Sequence, residues 1–180
     1  SSNAIDNGVN ETVITLKDDK YPVTVKLHYV AYGKENIIRT FTEISHEEKK
    51  PVILCKYASS MLHLNSSKYF LTEFSGDWAH EANVTERELA FGKKVIDTKL
   101  GARANMFVSP FFQLALDNPS QENAGEVLVG TIGWTGNFRF TFEVDNKNEL
   151  RIISGINPYD SEYSLPAKEV FRTPDFYFTY

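Results

Sequence analysis

The sequence predicts an all-β domain, two packed antiparallel sheets with almost no helix. Three observations predict it. Apolar residues recur with a period of two along nearly the whole chain, which is the period of a strand whose side chains face core and water in turn. Aromatic residues reach 13%, with 13 Phe and 9 Tyr, a composition suited to strands and sandwich cores. Turn-forming Gly, Pro, Asn and Asp clusters punctuate the runs. Roughly a dozen one-sided strands are buried most economically by two sheets face to face.

The elements follow in order. Tyr21, Val23, Val25, Leu27 and Tyr29 share one parity and Thr24, Lys26 and His28 the other, so one set is expected in the core and one in water. Ile37 to Ile44 and Val52 to Leu64 flank the charged loop His46-Glu47-Glu48-Lys49-Lys50-Pro51 and read as a hairpin. Lys68 to Phe74 is a further strand. Glu81 to Thr98 contains a possible helix start in Glu86-Arg87-Glu88-Leu89-Ala90, but its apolar positions do not hold a 3.6 period, so two strands around Gly92 are expected. Phe111 to Leu116 is an apolar strand closed by the loop Asp117 to Gly125. Val127 to Trp134 is apolar on both parities, as in a strand covered on both faces. With Phe138 to Val144 and Leu150 to Ile153 it reads as a three-stranded meander. Pro158, Pro166 and Pro174 separate short edge strands at the end.

With 180 residues, 42% hydrophobic, the chain is one domain with ample core. Ser1 to Ala4 reads as a tag scar, leaving 5–180 as a single β-sandwich domain. The net charge of −5 leaves no basic surface for phosphates and argues against nucleic acid as a partner. No apolar run approaches the ~20 residues of a membrane span, so no membrane partner is expected. A single cysteine, Cys55, can form neither an internal disulfide nor a cysteine zinc site and is silent on compartment. Localisation stays open between bacterial cytoplasm and periplasm. Phe176-Tyr177-Phe178-Thr179-Tyr180 alternates like a strand and stops without a polar tail, which predicts a piece of something larger.

Little in the sequence carries chemistry by itself. His28, His46, His63 and His80 stand at no metal-ligand spacing, so no metal is expected. No nucleophile elbow, phosphate loop or dinucleotide fingerprint is present, so no cofactor is expected. Asn10-Glu11-Thr12, Asn65-Ser66-Ser67 and Asn83-Val84-Thr85 match a glycosylation sequon, a short pattern that also arises by chance. Carboxylates are plentiful, but none of the local spacings marks a catalytic pair. Trp78, in Ser75-Gly76-Asp77-Trp78-Ala79-His80-Glu81, is the main binding candidate: an indole face stacks on the C–H face of a sugar, and Asp77 can accept from its hydroxyls. The alternative is a Trp plugging a sheet edge with Asp77 holding a turn. Trp134, in Gly133-Trp134-Thr135-Gly136-Asn137-Phe138, reads as part of a hairpin reversal.

From Leu71 onward the sequence resembles the N-terminal domain of glycoside hydrolase family 36 α-galactosidases. The carrying segments are Leu71 to Glu81, Ser109 to Gln113, Gly125 to Val127, Gly133 to Phe138, Phe142 to Asp145, Leu150 to Ile152, Gly155 to Pro158 and Thr173 through Tyr180. They stand in the family's order at similar spacing. At Gly101-Ala-Arg-Ala-Asn105 the sequence departs from the family, which often shows Ser/Thr-His there.

The resemblance implies a β-supersandwich, galactose mutarotase-like in architecture, that precedes a (β/α)₈ catalytic barrel absent from this chain. It implies that the fragment holds the later part of that N-terminal domain. Similar enzymes hydrolyse terminal α-galactosides of melibiose or raffinose type with retention, using two barrel aspartates as nucleophile and acid/base. The fragment is therefore expected to hold no catalytic residue and to be inactive alone. The resemblance further implies that it supports the barrel, takes part in a homo-oligomer and contributes an aromatic to the sugar pocket, which points to Trp78 with Asp77 beside it.

Two rivals come from other classes. One is a stand-alone carbohydrate-binding sandwich. The other is a mutarotase-like epimerase, which needs a His and a carboxylate converging on one face; adjacent His80 and Glu81 would point opposite ways in a strand. Missing strands are expected to leave sheet edges through which copies associate.

Overall fold

Alternation of apolar and polar residues translates directly into pleated structure. The computed structural model describes residues 1–6, 8–104 and 106–180. Sixteen strands are formed among them: β1 (Ser2–Asp6), β2 (Val9–Lys17), β3 (Val23–Tyr32), β4 (Ile37–His46), β5 (Val52–Leu54), β6 (Ser60–Asn65), β7 (Tyr69–Ser75), β8 (Asn83–Glu88), β9 (Gly92–Asp97), β10 (Val108–Gln121), β11 (Ala124–Ile132), β12 (Phe138–Val144), β13 (Glu149–Ile156), β14 (Tyr163–Leu165), β15 (Val170–Arg172) and β16 (Phe176–Thr179). Among the described residues one 3₁₀ turn is formed, Gly101–Arg103. The all-β, antiparallel two-sheet architecture is the one the alternation predicts.

The larger sheet has ten strands in the order β1-β2-β3-β4-β16-β11-β10-β7-β8, with β15 also pairing β4; the second has the order β6-β13-β12-β9. Every pairing is antiparallel. The core lies between the second sheet and the β16-β11-β10-β7 half of the first. Phe112, Phe138, Phe140, Phe142 and Phe176 are fully buried there with Tyr69, Leu71, Leu114, Leu150 and Ile152. Burying each such side chain contributes about 1.5–3 kcal/mol. The ring of Phe112 meets Phe140 at 5.2 Å and Phe142 at 4.9 Å, both edge to face, the arrangement that the ring quadrupoles favour. Gly130 makes room for this packing: a Cβ there would lie 2.5 Å from Phe112 Cζ and 2.8 Å from Phe176 Cζ.

The strands are where the alternation places them, but several pair differently. The Ile37–Ile44 and Val52–Leu64 runs form no hairpin. β4 pairs β3, β15 and β16, while β5 pairs β14 and β6 pairs β13. The reason sits at the end of β4, where buried His46 donates from Nε2 to Leu165 O (3.0 Å) and accepts from Glu48 N–H at Nδ1 (3.1 Å). That clamp turns the chain away from β4 and towards the second sheet.

The expected meander is likewise divided: β12 and β13 form a hairpin, but β11 belongs to the larger sheet. The strands either side of Gly92 also belong to different sheets, β8 pairing β7 and β9 pairing β12. The segment Asp117 to Gly125 is no open loop. β10 and β11 continue as a long arm turning at Glu122-Asn123, with a register shift after Leu116. Asp117, at φ 64°, accepts from Ser66 Oγ (2.6 Å), Ser67 Oγ (2.7 Å) and Ser67 N–H (2.9 Å), fixing that irregularity.

Tyr21, Val23, Val25, Leu27 and Tyr29 are not buried. Residues 23–29 of this set face the inner side, but β3 lies beyond the edge of the second sheet, and they stay half-exposed; Tyr21 is outside the strand and exposed. Ser2, Asn3 and Ala4, in the segment read as a tag scar, pair with Thr12, Glu11 and Asn10 of β2.

Candidate functional site

The candidate residues Asp77 and Trp78 sit in the connection between β7 and β8. Asp77 N–H donates to His80 O (3.2 Å) and His80 N–H returns a bond to Asp77 O (2.9 Å), so the backbone closes on itself. Asp77 Oδ1 accepts from Trp78 N–H at 2.7 Å, which fixes the side chain across its own turn. Asn83 Nδ2 donates to His80 O (2.8 Å) and anchors the return to β8. Ala79 (φ 62°) and Ala82 (φ 56°) adopt the left-handed conformation, unusual for alanine and costing about 1–2 kcal/mol each. Trp78 stands at the tip, 87% exposed. A Trp that plugs a sheet edge would be buried; this one presents its face to solvent on a turn closed by these four hydrogen bonds.

The connection is tied to a second one. Gly76 N–H donates to Phe107 O (3.0 Å) and Ser75 pairs with Val108. This end of the sandwich also gathers residues 98–104 and 106–107, the β11–β12 connection and the residues after β13. Asn137 Oδ1 accepts from Gly101 N–H (2.7 Å), and Asn137 O accepts from Asn157 N–H (3.0 Å). Asn157, buried, donates to Thr98 O (2.9 Å), and Arg139 binds Asp97 through Nε and Nη2 (3.0 and 2.7 Å). Segments 71–81, 133–138 and 155–158, remote in sequence, therefore converge here. Met106, Phe107, Trp134 and Tyr159 are solvent-exposed at the same end, and Lys99 Nζ sits 4.3 Å from the Tyr159 ring centroid. Residue 105, within the segment that departs from the family pattern, lies outside the described residues.

Trp134 differs from Trp78. Its ring folds over its own turn, so that a Cβ on Gly136 would lie 2.7 Å from Trp134 Nε1. Chemically, this end offers apolar ring faces, the Asp77 carboxylate and amide groups, a set suited to holding a polyhydroxylated ligand.

A second convergence was not legible in the sequence. His28 Nδ1 lies 2.8 Å from Glu11 Oε1, and Nε2 lies 3.4 Å from Glu43 Oε2, at an ion-pair distance but outside hydrogen-bond geometry. The three residues come from β2, β3 and β4, on the sheet face away from the core. Period-two parity assigns His28 a face; only strand pairing brings the two glutamates to it. The group ties three strands together. Among the described residues, no group of three or more His, Cys, Asp or Glu is placed to hold a metal ion.

Comparison with known proteins gives this geometry a context. The sequence model described as "Glycosyl hydrolase family 36 N-terminal domain" matches residues 2–166. Alpha-galactosidase AgaA of Geobacillus stearothermophilus is 29% identical over 167 residues, covering 93% of this chain and 23% of that protein. Alpha-galactosidase 2 of Pediococcus pentosaceus shows the same identity and coverage. A crystal structure of an AgaA variant in complex with raffinose superimposes with a TM-score of 0.90 at 28% identity, covering 96% of this chain and 24% of that one. The chain thus spans about a quarter of the length of the relatives it matches.

Proposed function

The chain belongs to the glycosyl hydrolase family 36 N-terminal domain family, and from that premise we propose that it serves as the non-catalytic sandwich of a retaining α-galactosidase acting on terminal α-galactosides of the raffinose type. The observation that carries the reading is the pairing of that match over residues 2–166 with a chain about a quarter as long as α-galactosidases such as AgaA, a variant of which was crystallised with raffinose. In this reading the chemistry belongs to a barrel outside the 180 residues. The sandwich packs against that barrel and against other copies, and Trp78 with Asp77 stands at the mouth of the sugar pocket.

The backbone of the 76–82 turn is fixed by its own hydrogen bonds and presents the exposed indole of Trp78 where a sugar ring can reach its face. The test is hydrolysis of an aryl α-galactoside and of raffinose. A longer protein containing these residues is expected to turn both over, and the 180-residue chain neither. Turnover by the short chain, or inertness of the longer one, overturns the reading.

A stand-alone carbohydrate-binding sandwich draws on the same exposed Trp78. Titration of galactose or raffinose into the 180-residue chain separates the two: saturable binding favours the module.

A further inference from the structure

The second sheet turns one face to the core and the other to solvent. Phe138, Phe140, Phe142, Leu150 and Ile152 point inward, so the residues between them point out. Antiparallel register sets the outward residues in three rows across β9, β12 and β13: Lys93-Glu143-Arg151, Val95-Thr141-Ile153 and Asp97-Arg139-Gly155. Gly155 lets another segment join this face. A Cβ there would crowd Ala58 Cα at 3.2 Å and Ser59 N at 3.3 Å, so glycine allows the chain between β5 and β6 to cross close to β13. The crossing brings Lys56 and Tyr57 to the same face, with the Tyr57 ring braced edge-on against Phe171 at 4.6 Å.

A cleft of about 180 Å³ results, with Thr141, Ile153 and Gly155 on its floor and Lys56, Lys93, Arg139 and Arg151 around it. Two carboxylates accompany these four cations. Glu143 pairs Lys93 at 3.0 Å and also Arg151, and Asp97 pairs Arg139 at 2.7 Å. Two positive charges remain, on a chain whose formal net charge is −5. Lys56 is exposed and makes no ion pair among the described residues. Gathered cations repel one another unless an anion lies between them. Across the Lys93-Glu143-Arg151 row lies a larger cleft, of about 540 Å³ and of different character. Phe91 stands at it with 76% of its surface exposed, and His63, Asn146 and Glu149 supply hydrogen-bonding groups. The Asp145 carboxylate there is taken up by the amides of Lys147 and Glu149, at 2.8 and 2.9 Å.

We propose that the two clefts form one binding site for a phosphorylated monosaccharide, with the phosphate among Lys56, Lys93 and Arg151 and the sugar ring against Phe91. A phosphate monoester carries close to two negative charges near neutral pH, which matches the charge left over. Lys and Arg donors suit its terminal oxygens, and an exposed aromatic ring suits the C–H face of a sugar. The sugar hydroxyls meet Glu149 and Asn146. The sugar half lies at the Val144 end of β12, opposite the Phe138 end where the Trp78 turn stands, so this site is separate from the one assigned to α-galactosides.

Isothermal titration of the 180-residue chain at fixed ionic strength tests the proposal with inorganic phosphate, glucose 6-phosphate, glucuronate and glucose. Glucose 6-phosphate is expected to bind saturably and about tenfold more tightly than inorganic phosphate, which lacks the ring. Glucuronate, with one charge, and glucose, with none, are each expected to bind at least about tenfold more weakly than glucose 6-phosphate. Lys56→Gln alters an exposed side chain and is expected to leave the melting temperature unchanged while weakening both phosphates about fivefold. Phe91→Ala is expected to weaken glucose 6-phosphate about fivefold and to leave inorganic phosphate unchanged. Absence of saturable binding by either phosphate overturns the proposal, as does glucose or glucuronate binding as tightly as glucose 6-phosphate. Phosphate binding untouched by Lys56→Gln, or a loss on Phe91→Ala shared equally by both phosphates, overturns the site as placed. None of these readouts involves turnover, so this proposal and the enzymatic reading stand or fall separately.

Discussion

The imidazole of His28 lies flat on the ring of Phe41, with centroids 4.3 Å apart and planes 11° from parallel, on directly paired positions of β3 and β4. The guanidinium of Arg172 is 3.9 Å from the centroid of the same ring, and Arg172 Nη2 donates to Asp175 Oδ1 at 2.5 Å. Phe41 thereby holds together β3, β4 and the β15–β16 connection on the face away from the main core. Phe41→Ala is expected to cost about 3 kcal/mol, because it opens a cavity and removes the ring against which the His28 imidazole and the Arg172 guanidinium pack. Urea denaturation checks it; a cost under about 1 kcal/mol would show that this face is held by the main core alone.

Gly130 and Gly136 both lack room for a Cβ, yet their neighbours differ. At Gly130 the obstacles are the buried rings of Phe112 and Phe176, which cannot move without opening the core. Gly130→Ala is expected to destabilise by about 2–3 kcal/mol. At Gly136 the obstacle is the half-exposed indole of Trp134, which can swing outward. Gly136→Ala is expected to cost about 1 kcal/mol or less, with a red shift in Trp fluorescence as the ring becomes wetter.

Acid sensitivity should concentrate at three hydrogen-bonded carboxylates, Asp117, Glu143 and Asp145. The Asp117 carboxyl is held below its ordinary 3.8 by hydrogen bonds from Ser66 and Ser67. Asp145 is held down by the amides of Glu149 and Lys147, and Glu143 by the Arg151 guanidinium and then Lys93. A carboxyl lowered in the folded state contributes stability that is complete above its unfolded value and disappears as pH falls through its folded value. The melting temperature is therefore expected to hold above about pH 5 and to fall below about pH 4. Asp117→Asn should flatten that acid limb while lowering the plateau. An acid limb unchanged in the variant would remove Asp117 from the account.

Trp78 allows function and stability to be read separately. Trp78→Ala is expected to change the stability of the 180-residue chain by less than about 0.5 kcal/mol, since the ring is 87% exposed. In the longer enzyme the same change is expected to lower kcat/KM for raffinose about tenfold, through KM. Unchanged kinetics would return Trp78 to a surface role.

The sequence by itself determined the local pleat. Period-two alternation located the core strands, and the Phe138-Phe140-Phe142 row points inward as its parity requires. It also carried the family resemblance and marked Asp77 and Trp78 as a turn. What it could not hold was partnership. β11 and β12 are neighbours in sequence and lie in different sheets, as do β8 and β9, because parity fixes which way a side chain points but not which strand lies beside it. Tyr29 and Phe140 alternate alike, yet one is half-exposed and the other buried, since only tertiary packing decides where the second sheet ends. The His28–Glu11–Glu43 group has the same origin: its sequence separations carry no signal, and three strands in register bring it together.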